Sequence, residues 1–192
     1  MLDQTSLKRG NRGHSRAGNA MERSRKALLD GARGAISAKG LSGTSMVDVA
    51  DYGQVARATL YNHFRSKEDL WTALIIDELE RVSTLFRAEK TFESGLMALA
   101  QAIGTNPMLR TIVGIDPTTL AVLMRTDQGP IWTQIEARFA LLAKERKVTD
   151  SAGVNLAFRW LLSQVASPIE PEFLPSATSM VARVVKLPAV LF

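Results

Sequence analysis

A chain of 192 residues with 46% hydrophobic content can bury one sizeable domain, or a small domain joined to a larger one. The absence of cysteine excludes a disulfide framework and a thiolate metal site, and apolar runs such as Leu120 to Met124 fall far short of the roughly 18 residues a membrane helix needs. The net charge of +5 is unevenly spread: residues 1–70 hold twelve Lys and Arg against seven Asp and Glu, while residues 71–192 hold twelve against twelve, so the first third either faces a polyanion or carries a solubilising tail.

Residues 1–20, MLDQTSLKRGNRGHSRAGNA, lack hydrophobic periodicity and carry Lys8, Arg9, Arg12 and Arg16 against the lone acid Asp3. They are predicted to form a flexible basic arm. From about Met21 the spacing of Leu28, Ala32, Ala35 and Ile36 predicts a first helix, weakened by Gly31 and Gly34 and closed by Gly40 in a left-handed cap. Ser45 with Asp48 three residues on matches a capping box, opening a short helix to about Tyr52 with Met46, Val49 and Ala50 on one side. Gly53 and Gln54 break the chain before a second short helix beginning near Ala56. Ser66 and Asp69 repeat the capping signature and open a longer helix through Trp71, Leu74, Ile75, Leu79 and Val82.

Beyond Arg87 the pattern stays helical. Phe92, Leu96, Leu99 and Ile103 share a stripe; Pro107 opens a short helix; Thr118 to Thr126, Ile131 to Lys147, Asp150 to about Ser167, and about Pro175 to Lys186 follow. Nothing alternates with period two for long enough to form a sheet. The predicted fold is all-α: a basic arm over 1–20, a three-helix helix-turn-helix domain over 21–70, and a larger C-terminal helical domain over 71–192.

The stretch GQVARATLYNHFRSKEDL, residues 53–70, decides what the small domain does. At 100° per residue Leu60 and Phe64 point inward, onto Val49, Ala50 and Val55, while Ala58 and Asn62 point out. Arg57, Tyr61 and Arg65 flank the outer face on one side, Thr59 and His63 on the other. Two short helices joined by a tight turn, the second with polar and aromatic groups outward, suit a helix laid in the DNA major groove.

Residues 40–70, GLSGTSMVDVADYGQVARATLYNHFRSKEDL, resemble the DNA-binding domain of the TetR-like family of transcriptional regulators, through Thr44-Ser45, Val49-Ala50, Val55, Thr59-Leu60-Tyr61, Phe64 and Lys67. That resemblance implies a cytoplasmic homodimer whose larger helical domain binds a small molecule and carries the dimer interface, ligand binding releasing an operator. It implies that Arg57, Ala58, Thr59 and Val47 read bases, and that Tyr61, His63, Lys67, Thr44 and Ser45 meet phosphates or the groove wall. The chemistry agrees: Arg57 suits a bidentate pair with guanine, Thr59 and Val47 a thymine methyl, and Lys67 a phosphate near a helix start. Two positions depart from the family's pattern. Gln54 stands where a turn glycine is usual, and Ala56 where a serine usually caps the recognition helix, a loss of about 1 kcal/mol of local stability. The turn is therefore expected to be less ordered without DNA. The basic arm is either a minor-groove ligand or an idle tail.

The electrically neutral part says less. Met97, Met108, Met124, Trp132, Phe139 and Phe158 are candidates for an apolar ligand pocket, though such stripes equally build a core. Leu156, Trp160, Leu161 and Val165, with Val181 and Val184, give the last two helices wide apolar faces, where the resemblance places a four-helix dimer interface. No His, Asp and Glu cluster points to a metal, no cofactor is implied, and no nucleophile elbow, phosphate loop or zinc motif points to an enzyme. The expected partners are duplex DNA, a second copy of the chain and a small apolar organic effector, with no membrane. The alternative is a helical protein-interaction module that keeps the helix-turn-helix scaffold without a defined operator.

Overall fold

The computed structural model describes the backbone of residues 7–125 and 130–185, and side chains over 18–125 and 131–185. Its ten described helices are α1 Leu7–Lys39, α2 Met46–Tyr52, α3 Arg57–His63, α4 Lys67–Ala88, α5 Phe92–Gly104, α6 Pro107–Ile115, α7 Pro117–Leu123, α8 Pro130–Glu145, α9 Ser151–Ala166 and α10 Leu174–Val185. No strand occurs among the described residues. The predicted ends of the seventh and last helical segments, Thr126 and Lys186, lie outside the described residues, as do positions 1–6 of the arm. None of the described helices is long and apolar enough to cross a membrane, and no described group of three or more His, Asp or Glu is placed to bind a metal.

One prediction needs correction. Residues 7–20 are not a separate arm but the opening turns of α1. No proline interrupts this stretch, and once a helix is nucleated each further residue adds a hydrogen bond, so the structured helix propagates backward through Gly10, Gly13 and Gly18 despite their poor propensity.

Two hydrophobic cores organise the chain. The first gathers Leu28, Leu29, Ala32, Ala35 and Ile36 of α1 with Val49, Ala50, Leu60, Phe64, Leu70, Leu74 and Ile112. The second gathers Phe86, Phe92, Leu96, Leu99, Phe139, Phe158 and Leu161 with neighbours from α8, α9 and α10, its aromatic rings following one another from Phe86 through Phe92 and Phe139 to Phe158 at centroid spacings of 5.9 to 6.4 Å. Burying such side chains contributes about 1.5–3 kcal/mol each. Helix α4 runs from one core to the other: Leu70 and Leu74 belong to the first, Phe86 to the second.

The glycines that weaken α1 by propensity have a packing reason. A Cβ on Gly31 would lie 2.5 Å from the Gly53 nitrogen and the Val49 oxygen, and one on Gly34 would lie 2.8 Å from the Tyr52 ring. A Cβ on Gly53 would in turn meet the Ala27 oxygen at 2.7 Å. Bare backbone thus faces bare backbone where α1 crosses the end of α2. Gly40 adopts the predicted left-handed conformation, φ 74°, and its amide closes α1 onto the Ile36 carbonyl at 2.9 Å.

Three further ties join the two parts of the chain. Arg33 of α1 pairs with Asp77 and, at 2.6 Å, with Glu78 of α4. The Thr111 hydroxyl donates to the Ser37 carbonyl at 2.6 Å. Asp116, 4% exposed, caps α7 by accepting from the Thr119 amide at 3.3 Å and reaches the loop before α2 by accepting from the Ser42 amide at 2.8 Å. Those amides, Ser42 first, hold its carboxyl below the ordinary aspartate range.

Candidate nucleic-acid interface

The surface built by α2 and α3 begins with capping. Ser45 accepts from the Asp48 amide at 3.2 Å while the Asp48 carboxylate accepts from the Ser45 amide at 2.8 Å, the predicted reciprocal box. Lys39 pairs with the same carboxylate and, with the Ser45 hydroxyl and amide, holds it well below the usual carboxylate range. The turn follows without a break in hydrogen bonding: the Gly53, Gln54 and Val55 amides donate to Val49, Asp51 and Ala50. Gln54 takes the left-handed conformation, φ 51°, and Gly53 is right-handed at φ −77°. The chain thus gives the turn's left-handed place to a residue with a Cβ and uses its glycine for the close approach to α1. Ala56 makes no side-chain cap, as its identity predicts.

On α3 and its C-cap, Leu60 and Phe64 are buried and Arg57, Ala58, Tyr61 and Asn62 are exposed, Tyr61 at 54%. Thr59 and, on α2, Val47 are half-buried at the edges of this face. His63 is half-buried too, its Nε2 2.8 Å from the Ser24 Oγ of α1. The Ser24 hydroxyl also lies 2.9 Å from the Met21 carbonyl, so if it donates there the imidazole donates to Ser24. Lys67 is the first residue of α4 and sets its ammonium 5.5 Å from the centroid of the Trp71 ring, while Ser66 caps the helix from the Asp69 amide. Arg25 of α1 lies over Phe64 at 5.7 Å.

Thr44 departs from its expected place. It is buried, and its hydroxyl donates to the Gly40 carbonyl at 2.6 Å, finishing α1 instead of facing a phosphate. Ser45 remains exposed, with its hydroxyl turned to Asp48 at 2.6 Å. The roles of Ser24 and Trp71 escaped the sequence reading, since a serine mid-helix and a tryptophan in an apolar stripe carry no local signal of a partner in another helix.

An apolar cavity of about 300 Å³ opens between the two cores. Four of the six predicted pocket residues, Met108, Trp132, Phe139 and Phe158, line it. Met97 does not: it packs on the second core outside the cavity. Nor does Met124, the residue after α7, which is 38% exposed. The sequence missed the wall given by the first core, Ile36, Leu41, Trp71 and Leu74, because each is also an ordinary core position of its own helix or loop.

Residues 28–74, spanning α1 from Leu28, α2, α3 and the start of α4, match the family model of bacterial regulatory proteins of the tetR family. This small domain is TetR-like. Among solved structures the chain resembles the TetR-family repressor AlkX from Dietzia sp. strain DQ12-45-1b, at 18% identity and TM-score 0.59 over 84% of this chain and 95% of that one. It also resembles GusR of Salmonella enterica, at 21% and 0.57 over 85% and 96%, and AibR, solved with isovaleryl coenzyme A and operator DNA, at 18% and 0.50 over 83% and 97%. Likeness at these identities speaks for the fold. No curated protein is a significant match in sequence.

On the last two helices the predicted interface residues divide. Leu156 and Val184 are exposed at 46% and 47%, beside Met180 at 67%. Trp160, Val165 and Val181 are half-buried. Leu161 is not on this face: it is 4% exposed within the second core, because it lies on the inner side of α9 with Ala157 and Phe158.

Proposed function

We propose that the chain is a cytoplasmic transcriptional repressor that binds a palindromic operator as a homodimer and releases it when a small organic ligand enters the cavity. The observation that carries this reading is the outer face of α3, where Arg57, Ala58 and Tyr61 stand free while Leu60 and Phe64 anchor the helix from behind. In it Arg57, Ala58, Thr59 and Val47 contact base edges, Arg57 as a bidentate donor to guanine. Tyr61, His63, Ser45 and Lys67 meet the backbone, and the burial of Thr44 removes it from that set. The excess of positive charge in residues 1–70 supports a polyanionic partner. Leu156, Trp160, Val165, Val181 and Val184 supply the surface for a second copy, whose two-fold symmetry doubles the reading face. Ligand release is supported by the cavity's position: its wall includes Ile36 near the end of α1, Leu41 in the loop before α2, and Trp71 and Leu74 of α4.

The test is selection of sites from random duplex DNA, then titration across salt. A pseudo-palindrome should emerge, with affinity falling steeply as salt rises. Arg57→Ala should cost about 1–3 kcal/mol and relax preference at one base position, whereas Lys67→Ala should weaken all sequences alike. No enriched site would favour the protein-interaction module instead.

A further inference from the structure

The cavity's wall is apolar almost throughout, and the charged side chains that reach it are Glu78 and Arg81 of α4 and Arg138 of α8. Glu78 is already satisfied twice over. It accepts from Arg33 at 2.6 Å and from Arg81 at 2.7 and 3.1 Å. Arg138 has a single ion pair among the described residues, 3.1 Å to Glu80, and that glutamate is 56% exposed and lies 3.8 Å from Arg87 as well. A guanidinium carries five donors, so Arg138 at the cavity retains most of its capacity. The electrostatic balance there is therefore cationic. An anion arriving from solvent can replace the exposed Glu80 at little cost, whereas an ammonium would meet two guanidinium groups in the wall with the wall's own carboxylate, Glu78, already neutralised.

Size sets the other half of the ligand. A dry cavity of about 150 Å³ takes one benzene, so the cavity of about 300 Å³ has room for roughly ten to twelve carbon-sized atoms. Two of the wall's neutral polar groups are already engaged: the Ser83 hydroxyl donates to the Leu79 carbonyl at 2.6 Å, and the Asn106 oxygen caps α6 at 2.9 Å from the Met108 amide.

We infer that this cavity binds a medium-chain amphiphile with one anionic head, its chain lying between the two cores and its head meeting Arg138 at the mouth. This rests on the cavity being the effector site and adds the chemical class of what enters it.

The probes are decanoate, decanol and decylamine, titrated into the full chain by calorimetry below micelle-forming concentrations. Decanoate should bind at least about tenfold more tightly than decanol, and decylamine most weakly, because only the carboxylate gains charge-assisted bonds. Arg138→Gln should bring decanoate and decanol within about twofold while leaving decanol affinity unchanged. Equal or tighter binding of decanol or decylamine, no binding of any of the three, or a carboxylate preference that survives Arg138→Gln would each overturn the inference. Operator affinity measured on the same ligand-free protein separates the two readings. Operator binding without decanoate binding defeats the ligand class alone, and decanoate binding without operator binding defeats the repressor alone.

Discussion

Asp116→Asn isolates the strap between α7 and the loop before α2. The native carboxylate gives one oxygen to the Ser42 amide at 2.8 Å and the other to the Thr119 amide at 3.3 Å. An asparagine offers one oxygen only, so whichever amide it keeps, the other faces an NH₂ donor at a part-buried site. Losing one charge-assisted bond should cost about 1–2 kcal/mol, since the freed amide is only part-buried and can turn to water. The pH dependence follows in sign. Because the folded-state carboxyl lies below its ordinary value, the stabilisation is fully present above the unfolded pKa of about 3.9 and is lost as pH falls through the folded one. Urea unfolding at pH 7 should therefore show the full difference between the two proteins, and a series from pH 6 to pH 3 should show it narrowing below about pH 4. Asp48 and Glu145, whose carboxyls are also held low, titrate in both proteins and drop out of the difference. A change under about 0.5 kcal/mol at pH 7, or a difference that stays constant down to pH 3, would refute the account.

Other perturbations bear on the small domain. Gly31→Ala places a methyl 2.5 Å from backbone atoms of Gly53 and Val49, which have no side chain to move aside; despite a gain of about 1 kcal/mol in helix propensity, the overpacking should leave a net loss of about 1–2 kcal/mol, seen as a fall of several degrees in thermal unfolding. Gln54→Gly should have the opposite sign, raising stability by roughly 0.5–1 kcal/mol in urea unfolding, because a residue with a Cβ at φ 51° is strained where glycine is not. Ser24→Ala and His63→Ala should each lower stability by about 0.5–1.5 kcal/mol, and the double variant by less than their sum; full additivity would mean that the two side chains do not interact.

What was legible in the sequence was what local chemistry encodes. Ser45 with Asp48 and Ser66 with Asp69 marked two helix starts to within a residue, and Gly40 marked the end of α1. The burial of Leu60 and Phe64 followed from periodicity, and with it the outward turn of Arg57 and Tyr61. Contacts between distant segments were not legible. Thr44 reads as a polar residue beside a helix start, and only the fold shows its hydroxyl satisfied by Gly40. Leu161 and Trp160 are neighbours on one apolar helix, and which of them faces inward depends on where α5 and α10 pack against α9. Residues 7–20 misled for another reason: composition signalled disorder, while continuity with a well-anchored helix extended the regular backbone.

The meeting of Gly31 with Gly53 has a mechanical meaning. With no side chain between them, these two backbones leave no deformable layer, and a packed interior transmits strain instead of absorbing it. The helix-turn-helix and the long helix behind it should consequently pivot as one solid piece, so that a displacement imposed at Ile36 reorients the outer face of α3 while the internal shape of the small domain is preserved.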